Sequence, residues 1–303
     1  MAKEEYDFQI IANLMAGKGE ARERLKELEG FLKSNHQTFR SLSIVKPTPI
    51  SQIPDDGRTK IKKAVICIGG DGTVSETVGY VLNNKIDAPV ALIPTGTANI
   101  IAATLGLGLK KGNFGFLLKE KTKQIDIGVL EYQDEKDYLL LGFGLGFEEN
   151  FLRLTKEKFK SNLGIFSYIF AALGELLSLK KIPLKICYDG VTVRTNLCLL
   201  TVLNLKPKIL KIFPLFKDDR IRIDDQILNV YFVKYHHFLQ AFFGTLVFHL
   251  LGKYNFGLVK TISGKEFLLE SSVPVGTQVD GELRSSLPVK IYFYPQPGVF
   301  IVP

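Results

Sequence analysis

One pattern recurs three times in the first 110 residues: a short apolar run, a glycine-containing loop, then a stretch with apolar residues at helical spacing. FQIIA (8–12) leads through NLMAGKGEA into ARERLKELEGFL, where Leu25, Leu28, Phe31 and Leu32 recur at the helical period. AVICI (64–68) leads through GGDGT into a helix containing Val78, Val81 and Leu82, and PVALI (89–93) leads through PTGTAN into IIAATLGL. Strands alternating with helices predict a parallel sheet. Ligands of such sheets sit at the carboxyl ends of the strands, where these three loops would gather.

After about residue 128 the texture changes to short strand-like runs separated by turn signals: YLLLGFG, LKICYDGVTV, LCLLTVL, ILNVYFV, KEFLLES, VKIYFY and VFIVP. A mostly β second domain is expected there, interrupted by helical stretches at 162–179 and 236–251 whose aromatic residues suit core packing or a greasy binding wall. With 303 residues the chain is long enough for two ordinary cores. At 46% hydrophobic and 23% charged residues, without low-complexity tracts, the composition excludes a largely disordered chain.

The net charge of +8 favours anionic partners such as nucleotides, nucleic acid or acidic lipid head groups, without choosing among them. Cys67, Cys187 and Cys198 are widely spaced inside apolar runs, which reads as buried thiols in a reducing compartment, so the cytosol is expected. The start, MAKEEYDF, has no apolar signal region. The longest nearly apolar window, FLQAFFGTLVFHLL (238–251), falls short of the roughly 20 residues of a membrane crossing.

Gly69, Gly70, Asp71, Gly72 and Thr73 form the sharpest local feature. Glycines let a backbone turn tightly and bring N–H groups close to a ligand, and a helix start beyond adds partial positive charge, which suits a phosphate. A carboxylate in the same turn repels phosphate unless a divalent cation bridges them, so Asp71 suggests Mg-nucleotide chemistry; the plainer reading is a carboxylate capping the helix. Thr73 and Glu76 have capping-box spacing, which accounts for Glu76 without a catalytic role. A Walker-type phosphate loop is absent from the sequence. Gly96, Thr97 and Asn99 make a second glycine turn that either caps a helix or faces a ligand, and Asn13, Gly17, Lys18 and Gly19 a third, with Lys18 a counter-charge or a solvated loop lysine.

In the second half, Asp189–Gly190 and Asp280–Gly281 both read as hairpin turns. The second is followed at once by Glu282, and on an extended chain Asp280 and Glu282 would share one face, fit to hold a metal or to take a hydroxyl proton. Asp224 and Asp225 precede a strand, as a solvated turn or half of a cation site. The four histidines have no zinc-ligand spacing.

Taken together and in order, NLMAGKG, GGDGT with Glu76, PTGTAN and VDGE resemble the diacylglycerol kinase catalytic-domain family, which includes sphingosine and ceramide kinases and small bacterial lipid kinases. The resemblance extends over essentially the whole chain. It implies an ATP- and Mg²⁺-dependent lipid kinase with an NAD-kinase/phosphofructokinase-like α/β domain and a β-sandwich lipid-substrate domain, the cleft between them holding ATP and the lipid hydroxyl. The expected boundaries are 1–128 and 129–291, with 292–303 returning to the first domain. By the resemblance, Gly69, Gly70, Gly72 and Thr73 cradle the phosphates, Asp71 works through Mg²⁺, and Gly96, Thr97 and Asn99 line the nucleotide with Asn13 and Lys18 opposite.

Glu282, supported by Asp280, is then the base for the lipid alcohol, and Asp224 and Asp225 match a structural Mg²⁺ turn. The implied partner is a membrane lipid reached from the bilayer surface by a cytoplasmic, peripherally associating enzyme of lipid metabolism, with no nucleic acid and with a homodimer as a candidate assembly. An NAD kinase shares GGDGT, and a lipid-binding homologue with weak turnover is the other alternative. The chain departs from the family pattern at Gln226, where glycine is usual, at Asn229, where aspartate is, and in a short connection between the second and third strands.

Overall fold

The computed structural model describes residues 4–45, 49–54, 59–96, 99–107, 113–119, 121–133, 135–146, 180–205, 221–235, 259–284 and 287–303. The helices expected at 162–179 and 236–251 lie outside these residues. The chain divides into two compact units: Met1–Ile127 and Tyr294–Pro303, with the described part of Leu205–Asp225, form the first, and Gly128–Asn204 with Gln226–Phe293 the second.

The first unit runs β1 (Glu4–Asn13), α1 (Glu20–Ser34), β2 (Phe39–Ile44), β3 (Thr59–Gly69), α2 (Asp71–Asn83), β4 (Val90–Pro94), α3 (Ile100–Thr104) and β5 (Thr122–Ile125). Its sheet has the order β2-β1-β3-β4, then the strand Gly298–Ile301, then β5. The pairs β1–β2, β1–β3 and β3–β4 are parallel, as the alternation of strands and helices requires. Ala64 to Ile68 are all buried, the continuous apolar run of a strand covered on both faces. On α1, Ala21, Leu28 and Leu32 turn inward, while Glu20 and Glu23 in the first turn and Lys33 in the last complement the helix dipole. Phe8, Ile10, Ile66, Ile93, Phe114 and Ile301 meet in one core, so the late strand shares the core of the earliest ones.

In the second unit, β6 (Gly128–Glu131), β7 (Lys136–Leu139), β8 (Gly142–Leu145), β9 (Ile182–Tyr188), β10 (Val191–Leu203) and β11 (Leu228–Lys234) come first. They are followed by β12 (Val259–Gly264), β13 (Glu266–Ser271), β14 (Thr277–Val279), β15 (Glu282–Arg284) and β16 (Val289–Phe293), and Gly298–Ile301 is then β17. The second unit's strands form one antiparallel sheet along β15-β14-β8-β10-β9-β13-β16-β6-β7, with β11 paired to β10 and β12 to β11. The sheet curls around a core that includes Phe143, Ile186, Leu200, Val230, Phe267 and Ile291. Asp189 (φ 43°) with Gly190 (φ 79°) and Asp280 (φ 51°) with Gly281 (φ 86°) are two-residue turns with both residues left-handed. This is the type I′ geometry that Asp-Gly pairs favour between twisted strands.

The cysteine expectation needs one correction. Cys67 and Cys198 are buried, and burial pushes their thiols up to about 12 and about 11. Cys187 is only half-buried, because β9 alternates inward at Ile182, Leu184 and Ile186 and Cys187 falls on the outward phase, its Sγ 3.5 Å from the Thr192 hydroxyl. Titration of the native protein with a disulfide reagent is therefore expected to label one thiol promptly, that of Cys187, and all three after denaturation; prompt labelling of Cys67 would contradict the burial of β3.

Candidate functional site

Three loops leave the carboxyl ends of β1, β3 and β4 and meet backbone to backbone. A Cβ on Gly96 would lie 2.5 Å from the Cα of Gly70, and one on Gly17 (φ 66°) would lie 2.4 Å from the carbonyl oxygen of Thr95. Those three glycines therefore let the loops touch, a requirement distinct from backbone approach to a ligand. Gly69 answers a further constraint, since a Cβ there would overlap the side chain of Thr73 at 2.4 Å. Gly72 is the second residue of α2.

Asp71 opens α2, and its carboxylate accepts the backbone N–H groups of Ile100 and Ile101 at 2.9 Å each. It thus caps the start of α3, not of its own helix, and joins the loop after β3 to the helix after β4. Asn99, at the N-cap of α3 with φ 47°, folds back on its own loop: its Oδ1 accepts Gly96 N–H at 2.9 Å and its Nδ2 donates to the Gly96 carbonyl at 2.5 Å. Asn13 donates from Nδ2 to the Thr73 hydroxyl at 3.2 Å and accepts Met15 N–H at 3.1 Å, tying the end of β1 to the first turn of α2. Lys18 lies in the 3-10 turn Ala16–Gly19, and Thr97 lies outside the described residues.

The capping-box reading of Thr73 and Glu76 is overturned. Helix α2 starts at Asp71, with Gly70 as N-cap and no side-chain capping bond, so Thr73 and Glu76 are already inside it. Glu76 instead accepts Ser51 N–H at 2.9 Å and the Ser51 hydroxyl at 2.7 Å. With Asn83 donating to the Ser51 carbonyl and Asn84 to that of Ile53, it straps the short β2–β3 connection to α2. A residue not singled out from the sequence is Thr95: it is 2% exposed, and among the described residues its hydroxyl has no hydrogen-bond partner. The PTGTAN string contains it, but nothing in the string marks which hydroxyl is buried without a partner.

In the second unit the premise that Asp280 and Glu282 share a face of an extended chain fails, because Asp280 sits in a left-handed turn. Its carboxylate accepts the N–H groups of Leu140, Leu141 and Gly142 at 2.9, 2.7 and 3.0 Å, and its own N–H donates to the Gly142 carbonyl. Glu282, the first residue of β15, pairs with Arg284 Nη1 at 3.1 Å, and Arg284 Nε reaches the Asp137 carboxylate. Burial works against the Arg284 charge, but the two carboxylates outweigh it and hold the guanidinium above its usual range. Tyr132, whose hydroxyl burial pushes up to about 12, lies in the same electrostatic neighbourhood.

The residues present fit a nucleotide phosphate at the three-loop cluster: among the described residues the buried Thr95 hydroxyl lacks a partner, and the Asp71 oxygens each accept one N–H and keep acceptor capacity. A cation held with Asp71 is compatible with that donor set, since Mg²⁺ uses one or two carboxylates and completes its shell with water and phosphate. At Asp224 and Asp225 the fit is poor. Asp224 is exposed with Arg222 Nε 3.8 Å away, and Asn229, buried where the family has aspartate, accepts the Ser263 hydroxyl and donates to the Ile227 carbonyl. Gln226 takes φ 52° where the family has glycine, so the turn shape survives while the acid is lost. Among the described residues no group of three or more His, Cys, Asp or Glu is placed to hold a metal, and no helix is long and apolar enough to cross a membrane.

Residues 7–130 match the family model of the diacylglycerol kinase catalytic domain. A Staphylococcus epidermidis protein with the provisional name of lipid kinase is 26% identical over 246 residues, 76% of this chain and 73% of that protein. An uncharacterized Synechocystis protein is 28% identical over 211 residues, 65% of this chain, and the match spans only 47% of its length. Among solved structures, a Bacillus anthracis protein provisionally named a diacylglycerol kinase superposes with a TM-score of 0.74 at 23% identity, covering 98% of this chain and 97% of that one. An Archaeoglobus fulgidus NAD kinase in complex with ATP superposes less well, with a TM-score of 0.51 at 14% identity over 97% of this chain and 93% of its own. These two likenesses establish the fold: an α/β unit of this kind followed by a curled β unit.

Replacing Asp71 with Ala leaves two helix-start N–H groups without their acceptor. The loss expected is about 1–2 kcal/mol, read as a drop in thermal midpoint of roughly 2–6 °C by calorimetry. Asp71→Asn, which keeps one acceptor oxygen, should lose less. An unchanged midpoint in Asp71→Ala would show that the tie to α3 carries no stability.

Proposed function

Because residues 7–130 match the family model of the diacylglycerol kinase catalytic domain, we propose that this chain belongs to that family and is an ATP-dependent lipid kinase, transferring the γ-phosphate of ATP to a lipid hydroxyl such as that of diacylglycerol. The observation that carries the reading is the convergence of three glycine loops on a carboxylate and a buried hydroxyl that has no partner among the described residues, at the carboxyl ends of β1, β3 and β4. Such a cluster offers backbone N–H groups, helix starts and the Thr73, Asn13 and Asn99 side chains for an anionic nucleotide, with Gly70 and Gly96 fixing the loop spacing, and by the family resemblance Lys18 and Thr97 would join them.

Mg²⁺ held with Asp71 would neutralise charge on the β- and γ-phosphates. Phosphoryl transfer asks the protein mainly for positioning and charge compensation, so few residues suffice. In this reading Glu282 accepts the proton of the lipid hydroxyl as its oxygen attacks the γ-phosphorus; the bond to the bridging oxygen breaks, and ADP leaves with that oxygen. Asp280 is a positioning residue, its carboxylate holding the turn that presents Glu282 by accepting three backbone N–H groups. The lipid is reached from the bilayer surface, for which the net charge of +8 provides attraction to anionic head groups.

The test is incubation of the protein with γ-labelled ATP, Mg²⁺ and mixed-micelle lipids, with NAD in a parallel reaction. Label in a lipid is expected; label only in NADP would replace the reading with an NAD kinase, and label nowhere would favour a lipid-binding homologue. Within the active protein, Glu282→Gln is expected to lower kcat by about 100-fold or more while leaving the KM for ATP nearly unchanged. Near-normal turnover in that variant would remove Glu282 from the role of base.

A further inference from the structure

We infer that Arg284, bridging Glu282 and Asp137, is the positioning residue that fixes the carboxylate of Glu282 for proton transfer, an inference that rests on the reading of Glu282 as base.

Strand β15 lies at one end of the path of paired strands, and β7, which carries Asp137, lies at the other. A strand of three residues, paired among the described residues only to β14, has little to hold its side chains in one place. Glu282 and Arg284 are two residues apart on that strand and so project from one face. Arg284 Nη1 contacts Glu282 Oε2 at 3.1 Å, while its Nε contacts Asp137 Oδ2. Asp137 is anchored in turn, because its other oxygen, Oδ1, accepts the Tyr138 N–H at 3.0 Å. Arg284 Nη1 also donates to the Leu283 carbonyl at 3.2 Å, which restricts the guanidinium further.

The side chains differ in exposure in the order this role requires: Glu282 is 45% exposed, whereas Arg284 and Asp137 are 26% and 23%. The reacting group is thus open at the end of a partly buried chain of charges. A rigid planar fork with several donors can serve two carboxylates at once, which a lysine ammonium on a flexible stem does not reproduce. The same hairpin is held at its turn by Asp280, so β15 is fastened at both ends, by the Asp280 carboxylate on the N–H groups of Leu140 and Leu141 and by Arg284 across to β7.

The test is a double-mutant cycle in the full-length protein: wild type, Glu282→Gln, Arg284→Gln and the double variant, with kcat, KM for ATP and thermal midpoint measured for each. Arg284→Gln is expected to lower kcat by about 100-fold through misplacement of the base, with KM for ATP within about twofold. In the Glu282→Gln background it should lower kcat no further, since the group it positions is already gone. Arg284→Lys should recover part of the loss and carries the same cycle if Arg284→Gln does not fold. Independent, additive losses in the two variants, or full kcat in both Arg284 variants of an active enzyme, would overturn the positioning role alone. A wild-type protein that phosphorylates no lipid would overturn the kinase reading and this role with it.

Discussion

The carboxylate of Asp71 on the N–H groups of Ile100 and Ile101 is the interaction on which the loop cluster depends. A helix of five residues such as α3 has too few internal bonds to persist alone. Its first free N–H groups are satisfied from another loop, and that loop reaches them because Gly70 and Gly96 pass with no side chain between them. Asn99 and Gly96 then close the turn before the helix, and Asn13 fastens β1 to the same first turn of α2. The Asp71 and Asn13 ties each join two different loops, so the three loops form one body.

The second unit uses backbone donors in a related way. Two Asp-Gly turns of the same geometry serve different ends: Asp189 accepts Lys265 N–H at 3.4 Å at the surface, whereas Asp280 gathers the three N–H groups of Leu140, Leu141 and Gly142. The turn geometry comes from the dipeptide; the difference comes from what the chain elsewhere brings beside it. A carboxylate surrounded by amide donors is a stiff joint in a place where a three-residue strand offers little stiffness of its own.

Much of this was legible from local pattern. The parallel strands, the loops at their carboxyl ends and both type I′ turns follow from period, glycine placement and Asp-Gly pairs, because those signals are local and act on the backbone directly. Side-chain partners were not legible. Glu76 at capping-box spacing turned to Ser51, since where α2 begins depends on the loop that enters it, and Asp71 capped a helix 29 residues on. Asp280 and Glu282 parted because the turn's left-handed backbone breaks the alternation on which the shared face was argued. Arg284 carries no motif at all; its meaning comes from a curl of the sheet that brings Asp137, 147 residues away, to its side.

Strand β17 lies between β4, to which it is parallel, and β5, to which it is antiparallel, and its Phe300 and Ile301 are buried. The central edge of the first unit's sheet is thus completed by residues made after the entire second unit. Until they emerge from the ribosome, β4 has an open, apolar edge, and the first unit cannot close its core. Assembly of the loop cluster is therefore a late event of synthesis: a chain halted between residues 105 and 297 would carry all three glycine loops yet expose the sheet that supports them.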